Sequence, residues 1–279
     1  MEPNWIIDLL ESALQIWADK LAEIWSLLIQ SPQSFRGGSI WGTISGISNA
    51  LTGIGYGLLV LFFAMGVFSS ASSFKEMQRP EFALRFFIRF AAAKIMVGYA
   101  MDIMLAVFNI VSGVVSTAMN SVAGGVSAAT HLPGQIVTAI EDLSFLESIP
   151  LWLVSLLGTL LVTVLSFVLI LTVYGRFFRL FIYTAVAPLP MATFAGEGTS
   201  QHGKAFLKSY TAVCVEGVVI VLACLIYNAF LSGSGYTVDS TASAVTMCWE
   251  YLGEMVFNML ILVGLVRGAS RIAKEMFGL

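Results

Sequence analysis

Of the fourteen lysines and arginines in this chain, all but Lys20 and Arg36 fall into three clusters separated by long apolar stretches. The clusters are Lys75, Arg79, Arg85, Arg89 and Lys94; then Arg176, Arg179, Lys204 and Lys208; then Arg267, Arg271 and Lys274. Short loops rich in Lys and Arg stay cytoplasmic during membrane insertion. Threading the apolar stretches as five crossings puts all three clusters in one compartment, with the amino terminus outside and the carboxyl terminus in the cytoplasm. The expected class is an all-α, multi-pass protein of the cytoplasmic membrane.

Composition agrees. Apolar residues make up 58% of the chain and charged residues 11%, against roughly 45–50% and about 25% in soluble domains. The formal charge of −3 supplies no global field for nucleic acid. Cys214, Cys224 and Cys248 lie in or beside apolar spans and read as small packing residues. His131 and His202 are isolated, so no metal or other cofactor is expected, although bound phospholipid is compatible with the apolar excess. The amino terminus carries Glu2 and Asp8 in place of a basic leader, so insertion through internal spans is expected.

Residues 1–36 form the first region. Asp8, Glu11, Gln15, Asp19, Glu23, Ser26 and Gln30 recur at helical spacing, with Trp5, Trp17, Leu21, Trp25 and Leu28 on the remaining face. Too charged to span, this helix suits either the external headgroup layer or packing against neighbours in an oligomer. Residues 37–279 form the membrane domain. Its expected crossings lie near 49–70, 90–115, 151–174, 206–231 and 245–266, each close to the ~20 apolar residues that a bilayer requires. Gly42, Gly46, Gly53 and Gly57 have the small-xxx-small spacing that lets helices approach closely in lipid.

The stretch 180–195 is short and contains Pro188 and Pro190, each of which removes a backbone donor. A full crossing there would strand Lys204, Lys208 and the basic carboxyl terminus outside. A proline-broken segment, re-entrant or facing the cytoplasm as a hairpin, keeps the basic clusters together, and such backbone is tolerated where protein or a cavity surrounds it.

Charges inside apolar spans cost on the order of 2.5–3.5 kcal/mol on insertion scales and therefore face protein or water. Asp102 and Glu216 are the deepest. Lys94 either snorkels or pairs with Glu216. Thr246, Glu250, Glu254 and Asn258 share a helix face that would line an aqueous path or bond between helices. Arg176 and Arg179 are expected at the cytoplasmic boundary, against lipid phosphate or a docking partner. No nucleophile elbow, metal-ligand pair or phosphate-cradling loop is present, so an enzyme is not expected.

The run Tyr174-Gly175-Arg176-Phe177-Phe178-Arg179, then Ala185-Val186-Ala187-Pro188-Leu189-Pro190, the turn Gly196-Glu197-Gly198-Thr199 and Lys204-Ala205-Phe206-Leu207-Lys208 carry a resemblance. They resemble the TrbL-type family of membrane subunits of conjugative transfer and type IV secretion systems, whose other branch is the sixth VirB protein. The resemblance implies an inner-membrane channel or scaffold subunit of a machine exporting DNA or protein. It also implies a homo-oligomeric ring, a pentamer being one form, contact with the system's ATPases and other transfer subunits, and single-stranded DNA or a DNA–protein substrate in transit. On this chain it would place Arg176, Arg179, Pro188, Pro190, Lys204 and Lys208 at a cytoplasmic mouth. Two other readings compete: a small-solute secondary transporter, built on the broken segment and buried carboxylates, and a structural membrane anchor for an ATPase.

Overall fold

The computed structural model describes residues 4–71, 80–120, 131–143, 145–233 and 242–279. Lys75, Arg79, Glu2, Pro3 and Asp239 lie outside the described residues. Every regular element among the described residues is helical. The order is α1 (Asn4–Ile29), a 3₁₀ turn (Phe35–Gly38), α2 (Ser39–Ala71), α3 (Pro80–Gly98), α4 (Ala100–Asn120), α5 (Gly134–Glu141), α6 (Phe145–Val186), α7 (Pro188–Ala192), a 3₁₀ turn (Thr193–Ala195), α8 (Ser200–Gly233) and α9 (Ala244–Met276). Five segments are long and apolar enough to cross a membrane: Phe35–Ser69, Ala100–Asn120, Ser148–Val186, Ser200–Leu231 and Ala244–Met276. The five crossings read from the sequence correspond to these one for one.

The chain divides into two compact units. The first comprises Met1–Ile29, Val115–Gly175 and Val218–Ser270. In it, α1 buries Ile6, Leu10, Leu14, Trp17, Leu21, Ile24 and Leu28, all at 3% exposure or less. The apolar face that suited a headgroup layer is therefore taken up within the chain. Its partners include α5 and α6: Glu11 accepts from the Leu132 amide at 3.3 Å, Tyr174 donates to Glu23 at 2.9 Å, and Trp5 lies 6.3 Å from Trp152. Gly158 in α6 lets Leu252 of α9 approach so closely that an added Cβ would sit 2.9 Å from its Cδ1.

The second unit comprises Gln30–Val114, Arg176–Gly217 and Arg271–Leu279. Arg36, Gly37 and Gly38 all take positive φ, and two glycines make that left-handed reversal into α2 inexpensive. Along α2 the chain from α6 runs in one continuous direction. Phe177 stacks on Phe35 at 4.4 Å, the Pro188 carbonyl abuts Gly55, and Gly196 abuts Gly66 and the Phe62 carbonyl.

Within 180–195, expected as a proline-broken hairpin, the helix break falls at Ala187–Pro188. Helix α6 does not stop at Tyr174 but continues to Val186, because Gly175 is only a mild interruption, worth about 1 kcal/mol. Pro188 and Pro190 then cannot donate to the carbonyls one turn back. Both sit at the start of α7, where a missing donor is tolerated, and the Met191 amide resumes helical bonding to Ala187 at 3.2 Å. Helical backbone continues past both prolines to Ala195. Reversal falls at Gly196–Thr199, where Thr199 Oγ1 donates to the Thr193 carbonyl at 2.8 Å.

Candidate functional site

Two basic side chains of α6 meet the middle of α8. Arg176 is 1% exposed, with Nε donating to the Val213 carbonyl at 3.3 Å and Nη2 to the Cys214 carbonyl at 3.2 Å. Its guanidinium lies 6.0 Å from the Phe108 ring centre and 5.9 Å from that of Phe177, within range of cation–π attraction. One turn along α6, Arg179 donates from Nη2 to Glu216 Oε1 at 2.6 Å. The Glu216 side chain is 1% exposed and that of Arg179 35%.

Room for the guanidinium comes from Gly217. A Cβ there would lie 2.6 Å from Arg176 Cζ, closer than any side chain permits. Glu216 pairs with Arg179, while Arg176 is held by backbone carbonyls of the same helix. A buried ion pair of this kind holds together only when its remaining polar atoms are satisfied. Arg176 Nη1 and Glu216 Oε2 are buried with no hydrogen-bond partner among the described residues. Beside the cluster, Tyr210 donates to the Met104 carbonyl at 2.8 Å, tying α8 to α4.

The structure therefore unites Arg176, Arg179 and Glu216 among the sequence candidates. The cation bonded to Glu216 is Arg179, and Lys94 is exposed. Arg176 is enclosed rather than presented to phosphate or a partner, because α6 continues past it and α8 covers it.

The other candidates are scattered. Lys204 and Lys208 are exposed on α8, Pro188 is buried and Pro190 half-buried against α2 and α3, and Asp102 is exposed on α4. Glu254 and Asn258 are half-buried on α9, in the first unit. Gly42, Gly46, Gly53 and Gly57 face outward, with open space where a Cβ would stand. Glycines that admit close contacts within the chain include Gly55, Gly66, Gly196 and Gly217, which spacing alone did not single out. The signal for Gly217 was its place directly after a carboxylate buried in an apolar span. The three cysteines are buried and free.

Neither the curated proteins nor the solved structures yielded a match. A family model described as TrbL/VirB6 plasmid conjugal transfer like protein matches residues 18–188, more than half of the chain. That interval contains α6, Arg176, Arg179 and the Pro188 break. With five membrane-length helices and this match, the chain belongs to the TrbL/VirB6 family, as a multi-pass membrane subunit of a conjugal transfer, type IV secretion machine.

Proposed function

We propose that the protein is a non-enzymatic channel or scaffold subunit that works as a homo-oligomeric ring in the cytoplasmic membrane. Its amino terminus faces outward and its carboxyl terminus the cytoplasm. The observation that carries this reading is the outward face of α2. Gly42, Gly46, Gly53 and Gly57 share one side of that helix with nothing against them, and Phe35–Ser69 is the least buried of the five candidate spans. Small residues on a bare face suit close helix contact in lipid, here with a second copy. Five helices in one chain enclose no passage wide enough for single-stranded DNA, whereas a ring of copies does.

In this reading the transfer ATPases and other subunits dock at the side bearing Lys204, Lys208 and Lys274, and phospholipid fills gaps between copies. The positive-inside distribution of the basic clusters supports that orientation. Native mass spectrometry of the full chain in detergent tests the ring. A single stoichiometry above one is expected, and Gly46→Leu with Gly53→Leu should break it while leaving the monomer folded. A wild-type protein that stays monomeric in lipid nanodiscs and binds a small solute would favour the secondary-transporter reading instead.

A further inference from the structure

We infer that the exposed face of α3 and α4 lines a water-filled path through the membrane, with Lys94, Gly98, Asp102 and Asn109 as its wetted side chains and backbone. The inference rests on the membrane-subunit reading but not on whether DNA is the cargo.

Helices α3 and α4 are nearly continuous. The Tyr99 amide donates to Ile95 and the Ile103 amide to Tyr99, each at 2.9 Å, so helical register carries across the joint. One side of this composite helix is buried, through Ala93, Val97, Ala100, Met104, Phe108 and Val111. The opposite side is exposed and divides lengthwise. One flank is apolar: Ile95, Tyr99, Ile110 and Val114 are 60%, 61%, 72% and 51% exposed. The other flank holds Lys94, Gly98, Asp102, Asn109 and Gly113, all exposed and recurring at helical spacing.

Depth decides what that polar flank can face. A Cβ on Gly98 would meet the Tyr56 hydroxyl at 2.8 Å, so Gly98 lies beside Tyr56. Tyr56 is in the interior of the Phe35–Ser69 span, about 20 Å from its end at 1.5 Å per residue. Asp102 is one turn further from that end. Lys94 and Asp102 make no ion pair or side-chain hydrogen bond among the described residues, and two turns of helix separate them. Acyl chains cannot solvate an ionised carboxylate or an asparagine amide at such depth, and residues of this kind inside spans face a water-filled cavity or polar protein. Water is the occupant the pattern favours. A cation, an anion and an amide recur along this flank at three depths, whereas the adjoining apolar flank is suited to lipid or to packing.

Single-cysteine variants in a background lacking the native cysteines test this, with the full chain in phospholipid vesicles. A small membrane-impermeant thiosulfonate is supplied to both faces, since only a thiol in contact with water ionises and reacts. Labelling is expected at Gly98→Cys, Asp102→Cys and Asn109→Cys, and absent at Ile110→Cys and Val114→Cys. The use of three wetted positions keeps the test decisive if Asp102→Cys fails to fold. No labelling at 98 and 109, or equal labelling of both flanks, would overturn the proposal. So would disulfide coupling of Asn109→Cys between copies without labelling. If the labelled protein still supports DNA transfer at the full rate, the channel reading fails while the wetted face stands.

Discussion

Arg179 donates to Glu216 across 2.6 Å, joining the third crossing to the fourth. One turn away, Arg176 binds the backbone of the same helix α8 through the Val213 and Cys214 carbonyls. Both contacts fasten α6 to the same stretch of α8.

Glu216→Gln removes the carboxylate that accepts from Arg179 Nη2. Breaking a buried pair from one side costs about 3–5 kcal/mol, so a marked fall in the thermal midpoint in detergent is expected. Arg179→Gln should cost less, because Arg179 is 35% exposed and Arg176 still attracts the carboxylate. Scanning fluorimetry on both variants checks the order, and equal midpoints would refute it.

Gly217→Ala drives a methyl group into the guanidinium of Arg176. Loss of the two charged hydrogen bonds, each worth about 1.5–3 kcal/mol, should destabilise the protein substantially. In an Arg176→Met background the same substitution is expected to be nearly neutral. Residues in contact give non-additive effects of about 0.5–3 kcal/mol, so a double-mutant cycle on thermal midpoints is the measurement.

Tyr210→Phe deletes the hydroxyl that donates to the Met104 carbonyl and leaves that acceptor buried. A loss of about 1 kcal/mol is expected, read as a small shift in urea or thermal unfolding with the oligomeric state unchanged.

The two sets of glycines in and against α2 should separate cleanly. Gly55→Ala places a Cβ 2.9 Å from the Pro188 carbonyl, and at Gly196 the Cβ would meet the Phe62 carbonyl at 2.8 Å. Both substitutions should lower the stability of the isolated monomer. Gly53→Ala meets open space and should leave it unchanged or slightly improved, since Ala is the better helix former by about 1 kcal/mol. Thermal midpoints of monomer in harsh detergent distinguish the sets.

How far the sequence reached follows from what each signal measures. Crossings are legible because span length and charge-free runs are local properties. Position 188 is legible as a break because proline acts on its own backbone. The reversal at Gly196–Thr199 was visible as a polar turn, but not as the place where the third crossing ends. Arg176 and Arg179 read as a boundary because a cation near an apolar run looks identical whether lipid phosphate or a distant carboxylate neutralises it. The choice was made by Glu216, on another helix. Likewise Gly55 lies two residues from Gly53 and Gly57, on the opposite side of the helix, and the seating of Pro188 beside α2 shows that this glycine faces its own chain.

Electron microscopy of the full chain in lipid nanodiscs tests the proposed assembly most directly. The expected result is a closed ring with the Gly42–Gly57 face of α2 at the contacts between copies and the Asp102 flank of α4 turned to the central space. A lone protomer, or a ring in which that face of α2 meets lipid, would contradict it.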